Sequence, residues 1–234
     1  MRSSAVHRDS IAVRREGAAQ IALVGPPNVG KSSILQALSE IQIKTGDYAF
    51  TTLRPIPALT RIGGVLVQLV EIPGLIEGAT EDRGGGRALL GVLRFADAIV
   101  YCTRADGDPE ALRPVIREIE LAEIEKPAFL AATRADEASL VAFNDAVWRL
   151  TGLIRVRLRT NGATDPEPLA LDPGSTVSDV ADSVHHELGA TFTGARIWGP
   201  SARFDGQRMG RDHPVQDGDV VEILTRRSSG EPVA

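Results

Sequence analysis

The chain has 234 residues, 43% hydrophobic and 24% charged, which excludes collagen, coiled coil and wholesale disorder and allows one or two domains. The single cysteine, Cys102, excludes an internal disulfide and a cysteine-based zinc cluster, and fits a reducing compartment. The net charge is −5, with 17 basic and 19 acidic residues up to about residue 150 and 9 and 12 beyond it. Neither part is a basic module, so bulk charge does not point to nucleic acid, though a local arginine strip is compatible with it.

Basic residues are 23 Arg against 3 Lys (Lys31, Lys44, Lys126), so Lys31 stands out. No apolar run reaches the roughly 18 residues that span a bilayer. The stretch Met1 to Gln20 is polar and Arg-rich, without the apolar core of a signal peptide. A cytoplasmic protein with no membrane partner is expected; the oligomeric state is left open.

Residues 1–19 read as a loose tail or a short edge segment. The apolar run Ile21-Ala-Leu-Val24 ends at a glycine, and a helical pattern follows with Ile34, Leu35 and Leu38 on one face. Val65 to Ile72 and Ala98 to Cys102 are predicted strands. Residues 109–125 are predicted helical, with Leu112, Val115, Ile116, Ile119 and Ile124 at helical spacing. Ala128 to Ala132 is predicted as another short buried strand. Strands alternating with helices predict an α/β fold, a mostly parallel sheet with helices on both faces.

The pattern changes after residue 150. Leu153-Ile-Arg-Val-Arg-Leu-Arg159 alternates apolar and charged residues, as a half-buried strand does. An Asn161-Gly162 turn and a Pro-rich stretch follow. Thr176 to Leu188 is predicted helical, with Val177, Val180, Val184 and Leu188 inward. Strands are predicted at Ala195–Trp198 and Val220–Leu224. The expected division is a tail over 1–19, a first domain over 20–150, a small α+β domain over 151–227 and a tail over 228–234.

Gly25, Pro26, Pro27, Asn28, Val29, Gly30, Lys31 and Ser32 fit G-x-x-x-x-G-K-[ST] between a strand and a helix, with Ser33 next. Glycines let backbone N–H groups turn inward around phosphates, and the helix N-terminus adds partial positive charge. In that arrangement Lys31 reaches the β and γ phosphates and Ser32 binds Mg²⁺. The motif specifies nucleotide but not the base.

Four further stretches extend it: Asp47-Tyr-Ala-Phe-Thr-Thr-Leu53; Glu71-Ile-Pro-Gly-Leu-Ile-Glu-Gly-Ala79; Thr133-Arg-Ala-Asp136; and Ala195-Arg-Ile-Trp-Gly-Pro-Ser201 with Gln207-Arg-Met-Gly210, His213 and Asp217-Gly-Asp-Val-Val221. Together they resemble the Obg/developmentally-regulated GTP-binding protein group with a C-terminal TGS domain, over about residues 18–227. The Leu153-Ile-Arg-Val junction brings the likeness nearest the developmentally-regulated branch. The resemblance implies a P-loop GTPase sheet followed by a ubiquitin-like β-grasp TGS domain. It implies GTP and GDP as ligands, slow Mg²⁺-dependent hydrolysis, and ribosome or RNA association through the TGS domain. The alternative is a degenerate, non-hydrolysing scaffold whose TGS domain carries the interaction.

The resemblance also assigns roles. Thr52, with Thr51 as fallback, closes onto Mg²⁺ when the γ-phosphate is present, and the Gly74 N–H touches that phosphate. Glu71 stands where the family has an aspartate that holds Mg²⁺ through water; it is one methylene longer, which should disturb that geometry. Leu75 stands where Ras-like GTPases place the glutamine that orients water. Asn28 matches a position that holds K⁺ in related GTPases, or is simply a loop-forming residue. Gly84-Gly-Gly86 makes a mobile second switch or a plain flexible loop. Thr133, Arg134 and Asp136 occupy the guanine-specificity position, Asp136 accepting from guanine N1 and N2; Arg134 replaces a lysine.

Only Glu137 to Leu150 separates Asp136 from the second domain, so the last sheet strand and the Ser-Ala loop that back the guanine are expected to be missing, as is the domain inserted in the developmentally-regulated relatives. Ala135 and the neighbouring helix partly fill that gap. In the TGS domain, His185 either contacts RNA or packs its helix, packing being favoured. Arg155, Arg157 and Arg159 share a strand face and, with Arg196 and Arg203, form either a phosphate-binding strip or a solvated face. Trp198 is expected to be a packing residue rather than a stacking platform.

Overall fold

The computed structural model describes residues 13–39, 54–75, 77–133, 136–184 and 192–225. The chain forms two compact units, Met1–Thr151 and Gly152–Ala234. The expectations for Thr51, Thr52, Arg134, Ala135, His185, Leu188 and the two tails beyond these ranges lie outside the described residues.

The first unit runs β1 (Gln20–Val24), α1 (Lys31–Leu38), β2 (Ile56–Ile62), β3 (Val65–Glu71), α2 (Gly86–Phe95), β4 (Ala98–Arg104), α3 (Arg113–Leu121), β5 (Ala128–Thr133) and α4 (Glu137–Thr151). Its five strands lie in the order β2-β3-β1-β4-β5, with β2 antiparallel to β3 and every other pair parallel. β1 is central and buried at all five positions, which is why its sequence is a continuous apolar run rather than an alternation. Ala22 and Val24 face α2 and α3 in a core with Val70, Ile72, Leu89, Leu93, Ile99, Val115 and Ile119. Ile21 and Leu23, at the alternate positions, point to the other face and are equally buried. No helix of the described residues is long and apolar enough to cross a membrane.

The second unit runs β6 (Ile154–Thr160), β7 (Ala163–Thr164), β8 (Leu169–Leu171), α5 (Val177–Val184), β9 (Phe192–Trp198), β10 (Gln207–Met209) and β11 (Val220–Thr225). The strand order is β10-β9-β11-β6-β7, with β8 also on β6 and β11 parallel to β6. Thr176 starts α5 with a reciprocal cap: the Asp179 carboxylate accepts from its N–H at 2.7 Å and its hydroxyl at 2.9 Å. Val177, Val180 and Ala181 then pack on Val156, Ala195, Ile197 and Val221 of the inner sheet face.

Several expectations need correction. Of the two readings of residues 1–19, the loose tail does not hold over 13–19: Ala18 N donates to Leu66 O, Gln68 N donates to Ala19 O, and Arg15 pairs with Asp97 at 2.8 Å. β2 was not anticipated; its Pro57 masks a strand pattern and is tolerated because β2 is an edge. The helix expected over 109–125 is a 3₁₀ turn, Pro109–Leu112, followed by the shorter α3. β5 is not buried: with no strand beyond it among the described residues, Leu130 is 54% exposed. The Gly84–Gly86 segment is built into a 3₁₀ turn and the start of α2. Gly86 has no room for a side chain, since a Cβ there would stand 2.3 Å from Ala79 Cα.

Candidate functional site

The chain leaves β1 at Gly25 and enters α1 at Lys31, so the loop Gly25–Gly30 wraps the helix N-terminus. The approach is close: a Cβ on Gly25 would lie 2.3 Å from Cys102 O on β4. α1 has no side-chain cap and no acidic residue in its first turn, leaving its first N–H groups for an anion. Asn28 takes a left-handed conformation at φ 60, which asparagine tolerates better than most residues. Ser32 and Ser33 are exposed in the first turn of α1.

Lys31 is 5% exposed. Its Nζ donates to Gly25 O at 3.1 Å and Pro26 O at 3.0 Å. Burial lowers its pKa, and the nearby Glu71 carboxylate opposes that shift. Ser32 Oγ donates to Glu71 Oε1 at 2.9 Å. Glu71 is 6% exposed and its other oxygen, Oε2, is buried without a hydrogen-bond partner among the described residues. A hydroxyl beside an unsatisfied carboxylate oxygen is a hard-oxygen donor set of the kind Mg²⁺ takes. Among the described residues no three His, Cys, Asp or Glu side chains could hold a metal by themselves.

The end of β5 holds the loop from behind. Thr133 Oγ1 hydrogen-bonds Val29 O and lies 3.0 Å from Thr103 O; one hydroxyl proton serves one of them at a time. Asp136 is exposed and caps α4: Ser139 N–H donates to its Oδ1 at 3.0 Å and Ser139 Oγ to its Oδ2 at 2.8 Å. α4 leads directly from Asp136 to Thr151, and Phe143 packs on Phe129 of β5 at 5.9 Å between ring centroids. No further strand follows β5 in this unit among the described residues.

Beyond β3, Gly74 sits at φ 48, while Leu75 is 4% exposed, its side chain in the core with Ala79 and Leu89. The segment after it is pinned by Glu118 of α3, a residue the sequence reading passed over. Glu118 accepts from Gly78 N at 2.8 Å, Thr80 N at 2.8 Å and Thr80 Oγ1 at 2.9 Å, and is 4% exposed. The Thr80 N–H holds its pKa below the ordinary glutamate value, with help from Gly78 N–H and the Thr80 hydroxyl. A charged residue on the apolar face of α3, one turn from Val115 and beside Ile119, was the signal available for it.

Cys102 is buried on β4, and desolvation pushes its thiol up to about 12; it is no nucleophile. In the second unit Arg155 is removed from the expected strip. It grips Asp217 with Nε at 3.0 Å and Nη2 at 2.8 Å. Trp198 is half-buried, with the Arg159 guanidinium 4.5 Å from its ring centroid. Phe204, 65% exposed beside Arg203, was also missed; an exposed aromatic in a turn leaves no periodic signal.

Two family profiles match. Residues 20–134 match the family described as 50S ribosome-binding GTPase, and residues 154–225 match the TGS domain. An uncharacterized GTP-binding protein of Halobacterium salinarum is 26% identical over 316 residues, covering 92% of this chain and 85% of the relative. A developmentally-regulated GTP-binding protein 2 homolog of Dictyostelium discoideum is 25% identical over 319 residues, covering 96% and 88%. These stretches exceed the 234 residues of the whole chain, so the relatives carry residues that it lacks. Among solved structures, the cytosolic domain of the T. maritima FeoB iron transporter is 27% identical with a TM-score of 0.38, over 51% of this chain and 46% of that one. Era of Aquifex aeolicus is 23% identical with a TM-score of 0.38, over 57% and 48%. Residues 20–134 are thus a GTPase domain and residues 154–225 a TGS domain, an arrangement consistent with the developmentally-regulated, Obg-like GTP-binding proteins that the chain is similar to.

Proposed function

We propose that the first unit binds GTP and GDP in the Gly25–Ser33 loop and hydrolyses GTP slowly, and that the TGS domain ties the protein to RNA or the ribosome. The carrying observation is Lys31: a buried ammonium that, among the described residues, donates to the carbonyls of Gly25 and Pro26, at the mouth of the loop. A phosphate would offer it a stronger, charge-assisted partner. Pro26, Pro27, Asn28, Val29, Gly30 and Ser33 shape the loop whose N–H groups donate to the phosphates. Ser32 Oγ and Glu71 would hold Mg²⁺, whose charge offsets that of the phosphate oxygens. The long Glu71 side chain already reaches Ser32, which supports direct rather than water-mediated ligation.

Thr52 and Gly74 are the γ-phosphate sensors on this reading, and Asp136 reads guanine, with Thr133 and Arg134 beside it. Leu75 cannot orient water, which fits slow turnover. K⁺ at Asn28 would supply positive charge in its place. The one cysteine, free and buried, suits a cytoplasmic setting.

A second reading, a nucleotide-binding scaffold that does not hydrolyse, is favoured by the buried Leu75 and by the engagement of Asp136 with Ser139. Phosphate release from GTP with Mg²⁺, in K⁺ against Na⁺, separates the two. Release above that of a Lys31→Ala control, faster in K⁺, is expected. Release equal to that control, with GTP still bound, would establish the scaffold.

A further inference from the structure

The sheet of the second unit has one face covered by α5 and another that carries a row of arginines. Arg208 on β10 stands opposite Arg196 on β9, and Arg196 opposite Glu222 on β11. Trp198 stands opposite Val220, which in turn neighbours Arg157 on β6. Arg159 reaches across to lie over the Trp198 ring. The end of this face opens into a recess of about 630 Å³ lined by Arg196, Trp198, Phe204, Asp205, Gly206, Gln207 and Arg208.

Phe204 is the unusual member. A ring that is 65% exposed gains little from its own fold, yet its turn is held by several hydrogen bonds. Ala202 N donates to Gly199 O, Gly206 N to Ile197 O, Gln207 N to Phe204 O, and Arg203 N to Gln207 Oε1 at 2.7 Å. The ring is therefore presented on a fixed backbone. The domain as a whole is acidic, with 9 basic and 12 acidic residues beyond about residue 150. On this face the arginines outnumber the acids, and Arg196 meets Glu222 only at 3.8 Å.

We propose that this recess binds an unpaired nucleotide of single-stranded RNA. The base stacks on Phe204, Arg196 and Arg208 take the flanking phosphate, and the Arg159–Trp198 pair forms the wall. An acidic peptide would use the arginines and leave Phe204 in water. An exposed aromatic ring set among arginines suits a base with its phosphate. The proposal rests on the RNA-association reading of the TGS domain and gives it a site.

The test is anisotropy of a fluorescein-labelled RNA octamer titrated with the full chain at several salt concentrations. Phe204→Ala should weaken binding about five- to a hundredfold, with Phe204→Trp restoring it. Arg196→Ala and Arg208→Ala should each lower the salt dependence, the log–log slope falling by roughly 0.7 per phosphate contact. Circular dichroism checks that the variants fold. Octamer binding unchanged in Phe204→Ala, absent in the unmodified chain, or displaced equally well by polyglutamate would overturn the site. Co-sedimentation with purified ribosomes, run in parallel, separates the two claims. Sedimentation that survives all three substitutions leaves RNA association standing without this site; neither octamer binding nor sedimentation removes both.

Discussion

Ser139 holds both carboxylate oxygens of Asp136, its N–H on Oδ1 at 3.0 Å and its hydroxyl on Oδ2 at 2.8 Å. The pairing follows from the short connection. The chain enters α4 one residue after Asp136, so the residue proposed to read guanine also serves as the helix N-cap. A carboxylate has about four acceptor positions, so the two tasks are compatible but compete for direction.

Ser139→Ala should therefore separate them. It is expected to cost about 0.5–1 kcal/mol of stability through the weakened cap, read in thermal unfolding. It should also tighten GDP binding a few-fold by releasing Oδ2. Asp136→Ala should lose both the cap and the preference for GTP over ATP in competition. A guanine preference unchanged in Asp136→Ala would remove that residue from base recognition.

Lys31→Ala should weaken binding of a fluorescent GDP analogue by a hundredfold or more, since charge-assisted bonds to phosphate are the strong ones. Glu71→Gln should leave GDP binding in EDTA intact and lower the Mg²⁺-dependent gain about tenfold. The readout is a Mg²⁺ titration of bound GDP analogue. An unchanged Mg²⁺ midpoint would place the ion away from Glu71.

Glu118 and Asp217 predict an acid-sensitive fold. Hydrogen bonds from Thr80 hold the first below its ordinary pKa, and Arg155 does the same for the second. A carboxylate with a lowered folded pKa stabilises fully above its unfolded pKa, about 4, and loses that contribution as pH falls through the folded value. Glu118→Gln should cost about 1–3 kcal/mol at pH 7, with the difference from the unmodified chain shrinking below about pH 4. Asp217 is 43% exposed, so Asp217→Asn should cost no more than about 1 kcal/mol at pH 7. Urea unfolding at pH 7 and pH 3 measures both.

Gly86→Val should destabilise the first unit by about 1–3 kcal/mol, because Ala79 fills the space a side chain would need. If the Gly84–Gly86 stretch instead behaves as a free loop, the thermal midpoint will not move.

The mostly parallel sheet, with β1 as a buried strand, and the loop around Lys31 were readable because each rests on a local rule: an apolar run for a buried strand, and a glycine-spaced motif between strand and helix. The same rules failed at the edges. β5 has the apolar sequence of an interior strand, and only the absence of a neighbour leaves Leu130 in water. Glu118 looks like a surface glutamate until the Gly78–Thr80 segment folds over it. Arg155, Arg157 and Arg159 look equivalent in sequence; Asp217, distant in the chain, singles out the first. Phe204 depends on which sheet face α5 leaves open, a property of topology rather than of pattern.

The amide pair inside the first unit fixes where that unit can be cut. Gln20 and Gln68 are 2% and 1% exposed, and Gln20 Nε2 donates to Gln68 Oε1 at 2.7 Å. Gln68 Nε2 in turn needs Arg14 O, at 3.0 Å. The family match begins at residue 20, but a protein trimmed to that point would strand a buried amide. The physical domain therefore includes Arg14, and trimming to residue 20 should lower the thermal midpoint of the first unit.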